Sequence, residues 1–190
     1  MIVIDYLFWA LAVLVIAGGI VATVFSVRLG RPRLALLALV PVGGGLLAAA
    51  FDIRLLPDPH PYAVVLALGI AILGILAGSP LTVHVLDLAT RETTRRGAHG
   101  GILIRRERTG EDVEVLRGGT TIGLLERAAI VGAIALGRPE VIAALIAIKG
   151  LGRFSELDSA AARERFIIGT LASMLWASAC AVLVVVTVAR

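Results

Sequence analysis

Read for the alternation of apolar and polar positions, the chain divides into long apolar runs separated by short polar linkers. Residues 7–25 (LFWALAVLVIAGGIVATVF), 34–51 (LALLALVPVGGGLLAAAF), 62–83 (YAVVLALGIAILGILAGSPLTV) and 166–189 (FIIGTLASMLWASACAVLVVVTVA) are each near or above the ~18 apolar residues that suggest a membrane-spanning helix. A further stretch, 120–154, is interrupted by Gly137-Arg138-Pro139-Glu140. Glycine stops one helix and proline suits the first turn of the next, so the pattern predicts a tight hairpin of two short helices. The second of these, 139–152, is too short at ~1.5 Å per residue for a ~30 Å hydrocarbon core unless Lys149 and Arg153 snorkel to the surface. A full crossing and a re-entrant segment both fit.

One stretch follows a different period. Residues 102–116 (ILIRRERTGEDVEVL) alternate apolar and polar positions on either side of Thr109-Gly110, a β-hairpin signal. A two-residue turn there would set Arg108 opposite Glu111 and Arg105 opposite Glu114, but also Glu107 opposite Asp112. A flexible basic loop on anionic lipid headgroups is the alternative. The expected fold class is therefore all-α: a polytopic transmembrane helix bundle of five to six membrane segments with a small cytoplasmic β-hairpin insert. It falls into a three-helix scaffold (1–88), a basic cytoplasmic loop (89–118) and a C-terminal hairpin plus last helix (119–190).

Composition agrees with a membrane protein. The 190 residues are 58% hydrophobic and 17% charged, against about half apolar and about a quarter charged in soluble domains. The N-terminal stretch carries Asp5 and no basic residue before its apolar run, which predicts that the first helix is retained rather than cleaved as a signal peptide. The single cysteine, Cys180, lies in the last apolar run and reads as a small core residue.

The net charge of +4 raises the question of a nucleic-acid partner, but in a membrane protein the placement of basic residues matters more than their sum. Arg28, Arg31 and Arg33 lie in the first linker, Arg54 is balanced by Asp52 and Asp58 in the second, and seven arginines follow the third run. Fourteen of the eighteen basic residues then fall on one side or its border. The positive-inside rule makes that side the cytoplasm. The expected placement is multi-pass in the plasma (inner) membrane, with both termini outside. The expected partners are anionic headgroups at the cytoplasmic face and either further copies of the chain or a partner membrane protein, with no nucleic acid.

Candidate chemistry centres on ionisable residues at membrane depth, which are functional candidates by default because each is costly to bury. Glu126 and Arg127 sit about six residues into their helix, and Lys149 returns to a similar depth on the next, so Glu126 and Lys149 could meet. Arg127 is turned ~100° away, with Glu164 or Asp87 as candidate partners. The cluster Glu126, Arg127, Lys149, Arg153, Glu156 and Glu164, with hydroxyls from Thr170 and Ser173, reads either as a buried ion network that fixes helix packing or as a cytoplasm-facing polar pocket for an ion, proton or anionic headgroup.

His84 and Asp87, spaced i, i+3, are weak candidates for metal ligation; a hydrogen-bonded pair at the membrane border explains them as well. Glycine-rich stretches, including Pro41 to Gly45, read as close-packing surfaces or as a helix break lining a site. No nucleotide-binding glycine loop, HExxH, GxSxG or zinc-type cysteine spacing occurs. No cofactor is expected.

The motifs IG-x-LER, GxPE, AIKGLGRF and ERFIIGT-x-AS, across residues 118–180, resemble the C-terminal half of an uncharacterised family of multi-spanning membrane proteins common in actinobacteria. That family tends to read Tyr-Pro where this chain has Phe154-Ser155, a departure that bears on the turn there. The resemblance implies no activity, but it marks Glu126, Arg127, Glu140, Lys149, Arg153, Glu156 and Glu164. Three functions remain in view: a small transport or channel-like protein, an assembly or regulatory subunit docking through the hairpin and residues 155–165, and a membrane enzyme using His84, Asp87 and Glu126.

Overall fold

The computed structural model describes residues 2–53, 61–90, 102–105, 112–115, 119–153 and 160–189. Its helices are α1 (Ile2–Arg28), a 3-10 helix (Pro32–Ala38) running into α2 (Leu39–Ala50), α3 (Pro61–Thr90), α4 (Gly119–Ala135), α5 (Val141–Arg153) and α6 (Ala160–Ala189). Four stretches are long and apolar enough to cross a membrane: Val3–Arg28, Pro32–Ala50, Tyr62–Ala89 and Ala160–Ala189. This is a membrane-type chain. Leu7, Leu14, Leu68 and Leu175 are all at least 60% exposed, an arrangement that suits hydrocarbon as the surrounding solvent.

The expected fold class is corrected in its insert, while the helices are those expected. Four helices reach spanning length by themselves, and the Gly137 turn divides the fifth apolar region into helices of 17 and 13 residues, the short hairpin that the sequence predicts. The β-hairpin insert is not what was expected. The two hydrophobic clusters of the bundle are built from helix residues.

Strands β1 (Ile102–Arg105) and β2 (Asp112–Val115) form a ladder of four residues each. Its register sets Arg105 opposite Asp112 rather than Glu114, two residues from that expected. This register puts Ile102 opposite Val115 and Ile104 opposite Val113, and it shows that charge pairs and turn length alone do not fix the pairing. The Thr109-Gly110 turn lies outside the described residues. Two short strands without a third are marginal by themselves.

The second span shows how a proline shapes an element. Pro41 has no N–H to give the carbonyl four residues earlier, Leu37; that oxygen accepts instead from a capping backbone N–H where the 3-10 helix of residues 32–38 ends. Helix α2 itself is continuous through Pro41 to Gly45, so the break falls before the glycines rather than within them. The 3-10 rise of ~2.0 Å per residue against ~1.5 Å brings the whole stretch to about 32 Å, enough for the hydrocarbon core.

Helices α3 and α6 form the axis of the bundle and run antiparallel: Gly74 meets Cys180, and one turn on, Gly78 meets Trp176. A Cβ added at Gly74 would stand 2.8 Å from Cys180 Cβ, so these backbones approach as closely as small residues permit. One core lies between this pair and α1, α2 and the 3-10 helix, built on Ile16, Ala38, Val42, Leu73 and Leu183. A second joins α4 to the opposite side through Ile130, Val131, Met174 and Ala177, with Ile142 and Leu145 of α5 at its margin. Helix α4 ends at Leu136–Gly137, where Gly137 takes a φ of 68° and its N–H reaches Ile134 O, a left-handed stop that favours glycine.

Candidate functional site

Adjacent residues on a helix point ~100° apart, and Glu126 and Arg127 use that divergence to serve two different junctions. Glu126 faces α5. Its carboxylate accepts a 2.5 Å hydrogen bond from Lys149 Nζ, and the side chains of Lys149 and Glu126 are only 17% and 11% exposed. Lys149 Nζ also stands 5.7 Å from the centre of the Phe166 ring on α6, within cation–π range. This ion pair and ring contact tie short α5 to α4 and α6, beside the apolar packing of Ile142 and Leu145.

Arg127 faces the axis and is almost fully buried, at 2% exposure. Its Nε donates to the main-chain carbonyl of Ile75 on α3 at 2.6 Å, and Nη1 donates to Ser173 Oγ on α6 at 3.1 Å. Both bonds fall where the glycines make room. A Cβ at Gly78 would overlap Arg127 Cδ and stand 2.8 Å from Nε, and one at Gly123 would stand 3.1 Å from Nη1. Pro80 contributes from the next turn: it cannot donate to Leu76, which weakens the α3 ladder beside the carbonyl that Arg127 uses.

Not every donor is used. Arg127 Nη2, Trp176 Nε1 and Thr82 Oγ1 are buried and without a hydrogen-bond partner. Trp176 Cδ1 lies 3.2 Å from the Cβ position of Gly78, beside the guanidinium. Thr82 is one turn along α3 from Gly78, and its Cγ2 is 3.4 Å from the Cβ position of Gly169, one turn before Ser173 on α6. What these three side chains leave unused is N–H and O–H groups.

The structure sorts the sequence candidates. Glu126 with Lys149, and Arg127 with Ser173, are brought together. In place of the expected carboxylates, Glu164 or Asp87, the bonds of Arg127 go to Ile75 O and Ser173 Oγ, and Glu164 is exposed. Thr170 is half-buried on α6, outside the bonds around Arg127. Arg153 closes α5, and Glu156 lies outside the described residues. Glu140 sits at the α4–α5 turn, 3.6 Å from Arg138, with both side chains open to the surroundings.

His84 and Asp87 are half-buried on α3, and no group of three metal-ligating side chains occurs among the described residues. Sequence reasoning missed Ile75, Gly78, Thr82, Phe166 and Trp176. Gly78-Ser79-Pro80 was a signal for Gly78 alone: a turn of α3 that lacks a side chain beside a proline that weakens the helix. Compared with family models, curated proteins and solved structures, the chain matches none of them.

Proposed function

We propose that the chain is a small multi-pass transport or channel-type protein of the plasma (inner) membrane, with both termini outside and a polar centre at the α3–α4–α5–α6 junction open to the cytoplasmic side. One observation carries this reading: three charged side chains, Glu126, Arg127 and Lys149, are withdrawn into an otherwise apolar bundle. Ionised groups at membrane depth cost ~2.5–3.5 kcal/mol each on insertion scales. A bundle needing only to pack is served at least as well by apolar residues.

The bilayer itself, with anionic headgroups near the arginine-rich linkers, is the immediate partner, and further copies of the chain complete the assembly. The test is flux across proteoliposomes containing the purified protein. Glu126→Gln is expected to lower small-ion flux at least tenfold while the protein still elutes as a folded species. Full flux from both Glu126→Gln and Lys149→Met would sink the reading.

A further inference from the structure

We propose that the junction of α3, α4 and α6 binds a compact monovalent anion of halide size, held by the free N–H groups of Arg127 with the Trp176 indole N–H and the Thr82 hydroxyl. Such an anion is the cargo that the transport reading above calls for, and its physiological sense rests on that reading.

Three features point to it. The first is charge: Glu126 and Lys149 neutralise each other, and Arg127 bonds a neutral carbonyl and a neutral hydroxyl, which leaves one positive charge. A buried charge in low dielectric is expensive until a counter-charge arrives. One monovalent anion supplies it.

The second is the kind of polar atom left over. Arg127 Nη2, Trp176 Nε1 and Thr82 Oγ1 are buried without partners, and each has an N–H or O–H to give. Arg127 and Trp176 are 2% and 8% exposed, so the surroundings do not satisfy them. Unmade bonds to buried donors are costly, and an anion accepts several at once.

The third is size. The guanidinium lies where side chains at Gly78 and Gly123 would stand, and Gly74 and Gly169 keep α3 tight against α6 on either side, so only a small ion fits beside it. A multi-atom oxyanion would have to spread these helices.

The experiment uses the full chain purified in mild detergent with Trp9→Phe, which leaves Trp176 as the one tryptophan of two. Bromide quenches indole fluorescence on contact, and it is titrated at constant ionic strength against gluconate. Quenching is expected to saturate, to be reversed by chloride and not by inorganic phosphate, and to need at least tenfold more bromide in Arg127→Gln. Where Arg127→Gln does not fold, Thr82→Val, which keeps the shape and loses the hydroxyl, is expected to weaken binding about threefold. Linear or absent quenching, or equal affinity in Thr82→Val and its parent, overturns the proposal; tighter binding of phosphate than of bromide overturns the size assignment. Chloride flux in proteoliposomes separates the two readings: saturable bromide binding without flux keeps this site and removes transport, and flux without saturable binding does the reverse.

Discussion

Lys149 and Glu126 meet at 2.5 Å with side chains 17% and 11% exposed, and a pair so dehydrated behaves differently from a surface salt bridge. Its formation contributes little beyond the cost of desolvating both ions, whereas removing one partner strands the other and costs ~3–5 kcal/mol. Glu126→Gln and Lys149→Met are each expected to lower the thermal midpoint in detergent, while the double variant recovers most of the loss. A double variant no more stable than the weaker single would show that the pair is not an isolated unit. A structural clamp predicts that activity recovers with stability, whereas a working site predicts a stable double variant without flux. The partner of Glu126 was legible because two ionisable residues at one depth on adjoining helices have few alternatives. That of Arg127 was not, since a main-chain carbonyl has no side chain to announce it, and Ile75 looks like any other apolar position.

Helix-scale behaviour follows from which glycines touch a neighbour. Gly74 stands against Cys180 Cβ, an atom fixed to the α6 backbone, whereas Gly43 has nothing within 4 Å. Gly74→Ala should therefore push α3 from α6 and cost ~1–3 kcal/mol as overpacking. Gly43→Ala should be neutral or gain up to ~1 kcal/mol of helix propensity. Thermal unfolding of the two variants side by side checks this, and equal midpoints would remove the close-packing account of the axis. The runs of small residues were readable as packing surfaces, but not which of them pack, because a period of 3.6 identifies a face and leaves its neighbour unnamed. The GRPE turn was plain, since Gly137 and Pro139 act locally. The β register was not, since a short alternating stretch admits more than one pairing with similar apolar and charge matches.

At the scale of the whole molecule, the open matter is how far the α4–α5 hairpin reaches. At ~1.5 Å per residue its 17- and 13-residue arms are about 26 and 20 Å long, short of the ~30 Å hydrocarbon core, although local thinning or tilt adjusts a few ångströms at modest cost. Its tip carries Arg138 and Glu140 with side chains 74% and 64% exposed. A pair so open, left in hydrocarbon, would cost more than thinning the bilayer does, so the turn is expected to reach water on the external side. Cys180 is buried and gives a quiet background for cysteine labelling. An impermeant thiol reagent on intact cells should therefore label Arg138→Cys and spare Gly30→Cys in the arginine-rich first linker. Labelling of Gly30→Cys alone would invert the whole topology. Protection of Arg138→Cys from outside, with labelling in inverted vesicles, would make the hairpin re-entrant and leave Glu126 and Lys149 nearer the tip of a loop than the middle of a crossing.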